Sequence, residues 1–209
     1  MEFDFEKLAA DDRYKILTAT IVPRPIAWIT TRSKNGVRNA APFSFFNAMS
    51  KTPPILAIGI QANSDGSMKD SARNILETGE FVVNLVPRAA AQSMNLTSID
   101  APADIDELTL AKLDTAPSIK VKPERIAASP VAFECRLHTP VEVAPSQLIV
   151  LGEIVQAHVA DAFVLDPLKH YIDTPALHLI GRMQGRGWYT PADDAFQIER
   201  PRPFKTASR

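Results

Sequence analysis

Lys69, Asp70 and Ser71 head the run KDSARNILETG (69–79), whose apolar residues Ala72, Ile75 and Leu76 recur at helical spacing. A lysine, a hydroxyl and the free N–H groups of a first helical turn make a phosphate cradle without a glycine-rich loop. Ser67 is placed to cap the same helix, with Asp70 returning a bond as a variant capping box, and both roles can hold together. Arg24 lies between two prolines in VPRPIAW, so its backbone is stiff and its guanidinium suits a phosphate or carboxylate. Its alternative is an ordinary surface arginine at a strand start. Trp28 reads either as core or as a pocket wall on which a planar ring stacks.

The stretch NAAPFSFFNAMSKTPP (39–54) places Ser44 and Asn47 around Phe45 and Phe46. Extended chain would set Ser44 and Phe46 on one face and Phe45 and Asn47 on the other, leaving both faces mixed. A clean strand is not written this way. Irregular backbone facing a flat polar ring, with apolar walls and small polar groups at the edges, explains the mixture. A turn packed by its own Phe rings is the alternative.

Other chemistries find little support. His138, His158, His170 and His178 form no metal-ligand spacing, so no metal site is expected. No GxSxG elbow, GxGxxG or GxxxxGK[ST] loop occurs. Cys135, the single cysteine, lies in the apolar run VAFECRL and reads as a buried small hydrophobe. GRMQGRGWYT (181–190) reads as a tight turn or subunit contact, with a pocket-edge role as the sharper possibility.

Several stretches must position these groups. PIAWITT (25–31), followed by Asn35-Gly36 and VRNAAPF, carries a hairpin signal. ILAIGIQ (55–61), FVVNLV (81–86), VAFECRLHTPVEV (131–143) and SQLIVLGEIVQAHVADAFVL (146–165) are further strands, the last expected to break near Gly152 or Ala160. Residues 69–79, 88–99 and 106–113 read as helices. Six or so strands without strand-helix-strand alternation predict a mainly β, antiparallel barrel with peripheral helices; a doubly wound parallel sheet is the alternative. One domain over 1–209 is expected, with a polar excursion at about 101–119 and a C-terminal extension at about 190–209. A net charge of −1 offers no footprint for nucleic acid or an anionic membrane. The charged N-terminal stretch lacks an apolar leader and no segment reaches membrane-spanning length, so a cytoplasmic location is expected.

Taken in order, TATIVPRPIAWITT, NAAPFSFFNAMSKTPPILAIGI, KDSARNILETGEFVVNLV and GRMQGRGWYT resemble the flavin reductase-like family of FMN-binding split barrels, in the nitrilotriacetate monooxygenase reductase and flavoredoxin branch. The resemblance implies a homodimeric, six-stranded split β-barrel with FMN near the subunit interface. It also implies hydride transfer from NAD(P)H to flavin N5, which needs no catalytic acid or base on the protein. Lys69, Asp70 and Ser71 match the family's Lys-Asp-Thr phosphate-side motif, with Ser in place of Thr; Arg24 and Trp28 match its PRPxxW element. By the same similarity Ser44, Asn47 and their main chain would meet the ring's polar edge or the ribityl chain. Reduced flavin would pass to a partner flavin-dependent monooxygenase. An electron carrier without NAD(P)H turnover, or a flavoenzyme with its own organic substrate and 101–119 as a lid, are the alternatives.

Overall fold

Asn35 and Gly36 turn the chain between β1 (Ala27–Arg32) and β2 (Arg38–Phe43) in the computed structural model, which describes residues 1–192, 195–199 and 201. Gly36 has φ 86°, a left-handed conformation open to glycine at no steric cost, and Arg32 pairs directly with Arg38. Five more strands complete the main sheet: β3 (Phe46–Lys51), β4 (Pro54–Ile60), β5 (Glu80–Leu85), β6 (Val131–Ala144) and β7 (Gln147–Val159). All pairings are antiparallel, in the order β2-β1-β5-β6-β7-β4-β3.

The two end strands of that order, β2 and β3, are consecutive in the chain, separated only by Ser44 and Phe45. So short a link spans on the order of 10 Å. The sheet therefore curls on itself. Counted as one strand broken at Ser44-Phe45, β2 and β3 pair with β1 on one side and β4 on the other, which closes a ring of six. The six strands expected are thus seven segments, and most of 43–48, read from sequence as irregular, is strand; only the two residues at the break depart from it.

Alternation fills the interior. Ala27 and Ile29, Leu56, Ile58 and Ile60, Phe81 and Val83, and Leu148 and Val150 point inward, with Ala72 and Ile75 of α2 (Asp70–Thr78) closing one end. The opposite face of β1 is buried too: Trp28 joins Met94 of α3 (Ala91–Leu96) and Leu108 of α4 (Glu107–Leu110) in a second cluster. Burial on both faces of β1 extends to Thr30 and Thr31, whose hydroxyls are hydrogen-bonded to Glu124 O and Asn39 Nδ2. Cys135 belongs to the interior, and burial pushes its thiol well above the ordinary range, so it stays protonated and inert as the sequence implied.

Gly152 in β7 marks a close approach, for a Cβ there would stand 2.3 Å from Cζ of the buried Phe81. Gly152→Ala should force that ring to move at a cost of about 1–3 kcal/mol. A thermal melt reads this as a Tm several degrees lower; an unchanged Tm would show that Phe81 has room.

Several boundaries differ from expectation. Residues Ala10–Thr20 form helix α1, which the sequence reading did not anticipate because its few apolar side chains give almost no stripe. The helix expected at 69–79 begins at Asp70, with Lys69 in the N-cap position and no side-chain cap. Ser67 instead accepts from Asn63 Nδ2 at 3.0 Å. The 146–165 run breaks at Ala160, after β7 has passed through Gly152. Within the excursion, α4 is shorter than the helix expected over 106–113 and packs on β2. GRMQGRGWYT is a hairpin between β8 (Ile180–Arg182) and β9 (Tyr189–Pro191), turned through Gly185 and Gly187 at φ 58° and 81°. The extension at about 190–209 lies largely outside the described residues.

Candidate functional site

The break between β2 and β3 opens a cavity of about 220 Å³. Its walls are Phe43, Phe45, Tyr14 of α1 and Ile99; its polar rim is Ser44, Gln61, Lys69 and Ser98. Phe45 is held there by backbone: its carbonyl accepts from the Gly59 N–H at 2.7 Å. Gly59 has no Cβ to spare, since one would lie 3.0 Å from Phe45 Cβ. The Tyr14 and Phe45 rings meet at 6.1 Å, so the unanticipated helix α1 supplies one wall.

A smaller cavity of about 60 Å³ continues from the first through the shared residues Ala41, Lys69, Thr97 and Ile99. Asn39, Asp70 and Ser71 line it at the N-terminus of α2. The first-turn N–H groups of a helix have no intrahelical acceptor, and no side chain caps them here. Ser71 is tied in place by the Asn39 amide, which donates to its Oγ at 2.9 Å and to Thr31 Oγ1 at 3.2 Å. Lys69 Nζ donates to Asn63 Oδ1 at 2.8 Å and to Asp100 Oδ1 at 3.1 Å. Asp70 pairs with Arg73. The sequence-predicted trio therefore converges on one polar end of a groove whose other end is apolar.

Arg24 is neither a surface residue nor a free anion binder. It is 6% exposed, and its guanidinium donates to the carbonyls of Thr18, Ile21 and Met183 at 2.8–3.0 Å and through Nε to Ser44 Oγ at 3.4 Å. Its work is to tie the end of α1, the C-terminal hairpin and Ser44 together, and burial lowers its basicity below the ordinary guanidinium range. Trp28 is fully buried; its Nε1–H donates to Thr97 Oγ1 at 2.9 Å, so it meets the groove only through the threonine it orients. Asn47 is turned away from the 220 Å³ cavity. It is exposed, its Oδ1 accepts from the Ala48 N–H, and it lines an adjoining apolar groove of about 450 Å³ with Leu17, Ile21, Met49 and Ile149, which meets the first cavity at Ser44, Phe45 and Gly59.

Tyr14, Thr97, Ser98 and Glu107 are among the groove residues that escaped the sequence reading. Two adjacent hydroxyls in NLTSI, just after an alanine-rich helix, were the one available signal. Glu107 lies on α4, 5% exposed, and accepts from the Ala40 N–H at 3.1 Å. Burial, with Asp70 and Asp106 nearby, holds its carboxyl above the usual carboxylate range. Arg38 fastens the neighbouring Asp106 at 2.6 and 2.8 Å, which clamps α4 against β2.

Chemically, the arrangement offers a slot between rings that leads to a lysine, a hydroxyl and a helix N-terminus. It fits a planar, partly polar ring system carrying an anionic tail. Among the described residues no cluster of three or more His, Cys, Asp or Glu could hold a metal, and no helix is long and apolar enough to cross a membrane.

Comparison with known proteins agrees with that chemistry. A family model described as "Flavin reductase like domain" matches residues 19–176. An uncharacterized protein of Deinococcus radiodurans is 44% identical over 202 residues, covering 95% of this chain and 88% of its own. The crystal structure of nitrilotriacetate monooxygenase component B from Bacillus cereus superposes with a TM-score of 0.87 at 30% identity, over 95% of this chain and 98% of that one. A 2-nitrobenzoate 2-nitroreductase from Pseudomonas fluorescens superposes with a TM-score of 0.88 at 29% identity, over the whole of both chains.

Proposed function

The chain belongs to the flavin reductase-like family, and from that premise we propose that it binds FMN in the groove beside Ser44-Phe45 and reduces it with NAD(P)H. The single observation that carries this reading is the continuity of an aromatic-walled cavity with the uncapped N-terminus of α2 and Lys69. Lys69, Ser71 and the first-turn N–H groups would hold the phosphate. Ser44 and the main chain at the break would meet the polar edge of the ring, with Ser44 oriented by Arg24. Tyr14 and Phe45 would exclude water from the ring face, and Trp28 would orient Thr97 toward the groove. Bound there, the flavin supplies a hydride acceptor for the nicotinamide, and the protein's share is positioning and hydrogen bonding. No acid or base of the chain is required for that step.

Two further parts of the reading concern assembly. The 450 Å³ groove exposes Met49 and Ile21 to 61% and 59% beside Asn47, and a homodimer that covers it would bring a second copy next to the flavin. Similarity to a monooxygenase component supports delivery of reduced flavin to a partner oxygenase. A second reading, direct reduction of an aromatic acid by the bound flavin, is favoured by similarity to the 2-nitroreductase.

The test is an anaerobic absorbance spectrum of the FMN-reconstituted protein before and after NADH and then NADPH. Bleaching within the mixing time by either donor is expected. A flavin that stays bound and oxidised with both overturns the reductase assignment and leaves an electron carrier. Reoxidation of the bleached protein by a nitroaromatic acid without oxygen would favour the second reading.

A further inference from the structure

The small cavity at the N-terminus of α2 is lined by one basic residue, Lys69, and three acidic ones, Asp70, Asp100 and Glu107. Asp70 is balanced by Arg73. The other two are not balanced independently of the site: Asp100 takes Lys69 itself, at 3.1 Å, and Glu107 has no cationic partner among the described residues. Both come from the segment that follows α3, and α4 is clamped on β2 through Arg38 and Asp106, so Glu107 is fixed where it is. A ligand phosphate would enter beside these carboxylates and compete with Asp100 for the same ammonium.

We infer that Asp100 and Glu107 are specificity-determining residues that oppose the phosphate, and so set how far the protein prefers FMN to an uncharged flavin. The inference rests on the FMN reading above. Like charges within a few ångström raise the cost of a dianion in proportion to how poorly they are solvated. Asp100, with a side chain 61% exposed, acts through a screened field and through competition for Lys69. Glu107, at 5% exposure, acts through a field that salt screens far less. The raised carboxyl of Glu107 is the response of a buried acid without a cation. A groove built this way lets a phosphate-bearing flavin leave readily, as a protein that hands reduced flavin onward requires.

The experiment is titration of wild type, Asp100→Asn, Glu107→Gln and the double variant with FMN and with riboflavin, by flavin fluorescence at two salt concentrations. Both substitutions keep an acceptor oxygen for Lys69 and for the Ala40 N–H, and far-UV melts verify folding. Asp100→Asn should tighten FMN about three- to tenfold at low salt, less at high salt, with riboflavin unchanged. Glu107→Gln should tighten FMN at both salts. An unchanged or lower preference for FMN in both variants overturns the inference, since it would make these carboxylates supports for Lys69 and not opponents of the phosphate. Lys69→Ala separates this failure from failure of the reading itself: if that variant loses no FMN preference, the phosphate does not bind here at all.

Discussion

Lys69→Ala should weaken FMN about ten- to a hundredfold while riboflavin, which has no phosphate, stays within about threefold of wild type. The reason is charge-assisted hydrogen bonding at a site with no other basic lining residue among the described residues. The ammonium sits at the mouth shared by both cavities, where Asn63 and Asp100 hold it through two of its three protons, leaving one donor for a ligand. The uncapped first turn of α2 remains in the variant, so some phosphate affinity should persist. Paired titrations of the two flavins measure the ratio. Equal weakening of both would move Lys69 from the phosphate to the shape of the groove and remove the main support for the orientation proposed here.

The second large effect lies away from the groove. Glu134 of β6 is fully buried, and its carboxylate accepts from the N–H groups of Ile119, Lys120 and Val121 at 2.5–3.2 Å, with His158 Nε2 2.6 Å away. One side chain thus pins the end of the 101–119 excursion and the residues after it to the barrel wall. Glu134→Ala strands three backbone donors, of which that of Val121 is buried, and a histidine, and the expected loss is about 3–5 kcal/mol, or roughly 10 °C in Tm. A Tm within about 1 °C of wild type would mean that water replaces the carboxylate without cost. Should the alanine variant fail to fold, Glu134→Gln, which keeps one acceptor oxygen, supplies the comparison.

Acid adds an independent readout of the same residue. Burial alone would raise the Glu134 carboxyl, but the bonds from Ile119, His158 and Lys120 outweigh it and hold the group below its ordinary value of 4.5. A depressed native pKa means the unfolded chain takes up the proton first, so this stabilisation is complete above about pH 4.5 and drains away as pH falls through the native value. Melts from pH 7 downward should therefore show wild type and Glu134→Ala converging below about pH 4.5. Parallel lines would show that the carboxylate carries no linked stability.

Where the 101–119 segment is concerned, these contacts also bear on its role. Arg38 with Asp106, Glu107 with Ala40 and Glu134 with residues 119–121 fasten it at successive points. A strap so fastened positions Glu107 at the groove, and deletion of the segment would disturb the barrel wall as well as the site.

Local rules were enough for much of this protein. Alternating β-branched and apolar residues over 55–61 and 81–86, with Asn35-Gly36 between two strands, identified the barrel because side-chain period and turn chemistry are written within a few residues of each other. The same holds for the start of α2, where Lys69 and Ser71 are neighbours in chain and in space, and for the inert, buried Cys135. What local patterning does not carry is which distant residues share a surface. Closure of the sheet joins β2 to β3 and places the break at Ser44-Phe45, and only then do Tyr14, Thr97, Ile99 and Glu107 reach one groove from three separate segments. Closure likewise turned Arg24 into an internal tie, set Trp28 behind Thr97 and sent Asn47 to the other face. The sequence determined the strands, the turn and helix α2, because those depend on neighbours. The tertiary structure alone decided the walls of the groove and the acids that line it, because barrel closure brings together residues up to 93 positions apart, from Tyr14 to Glu107.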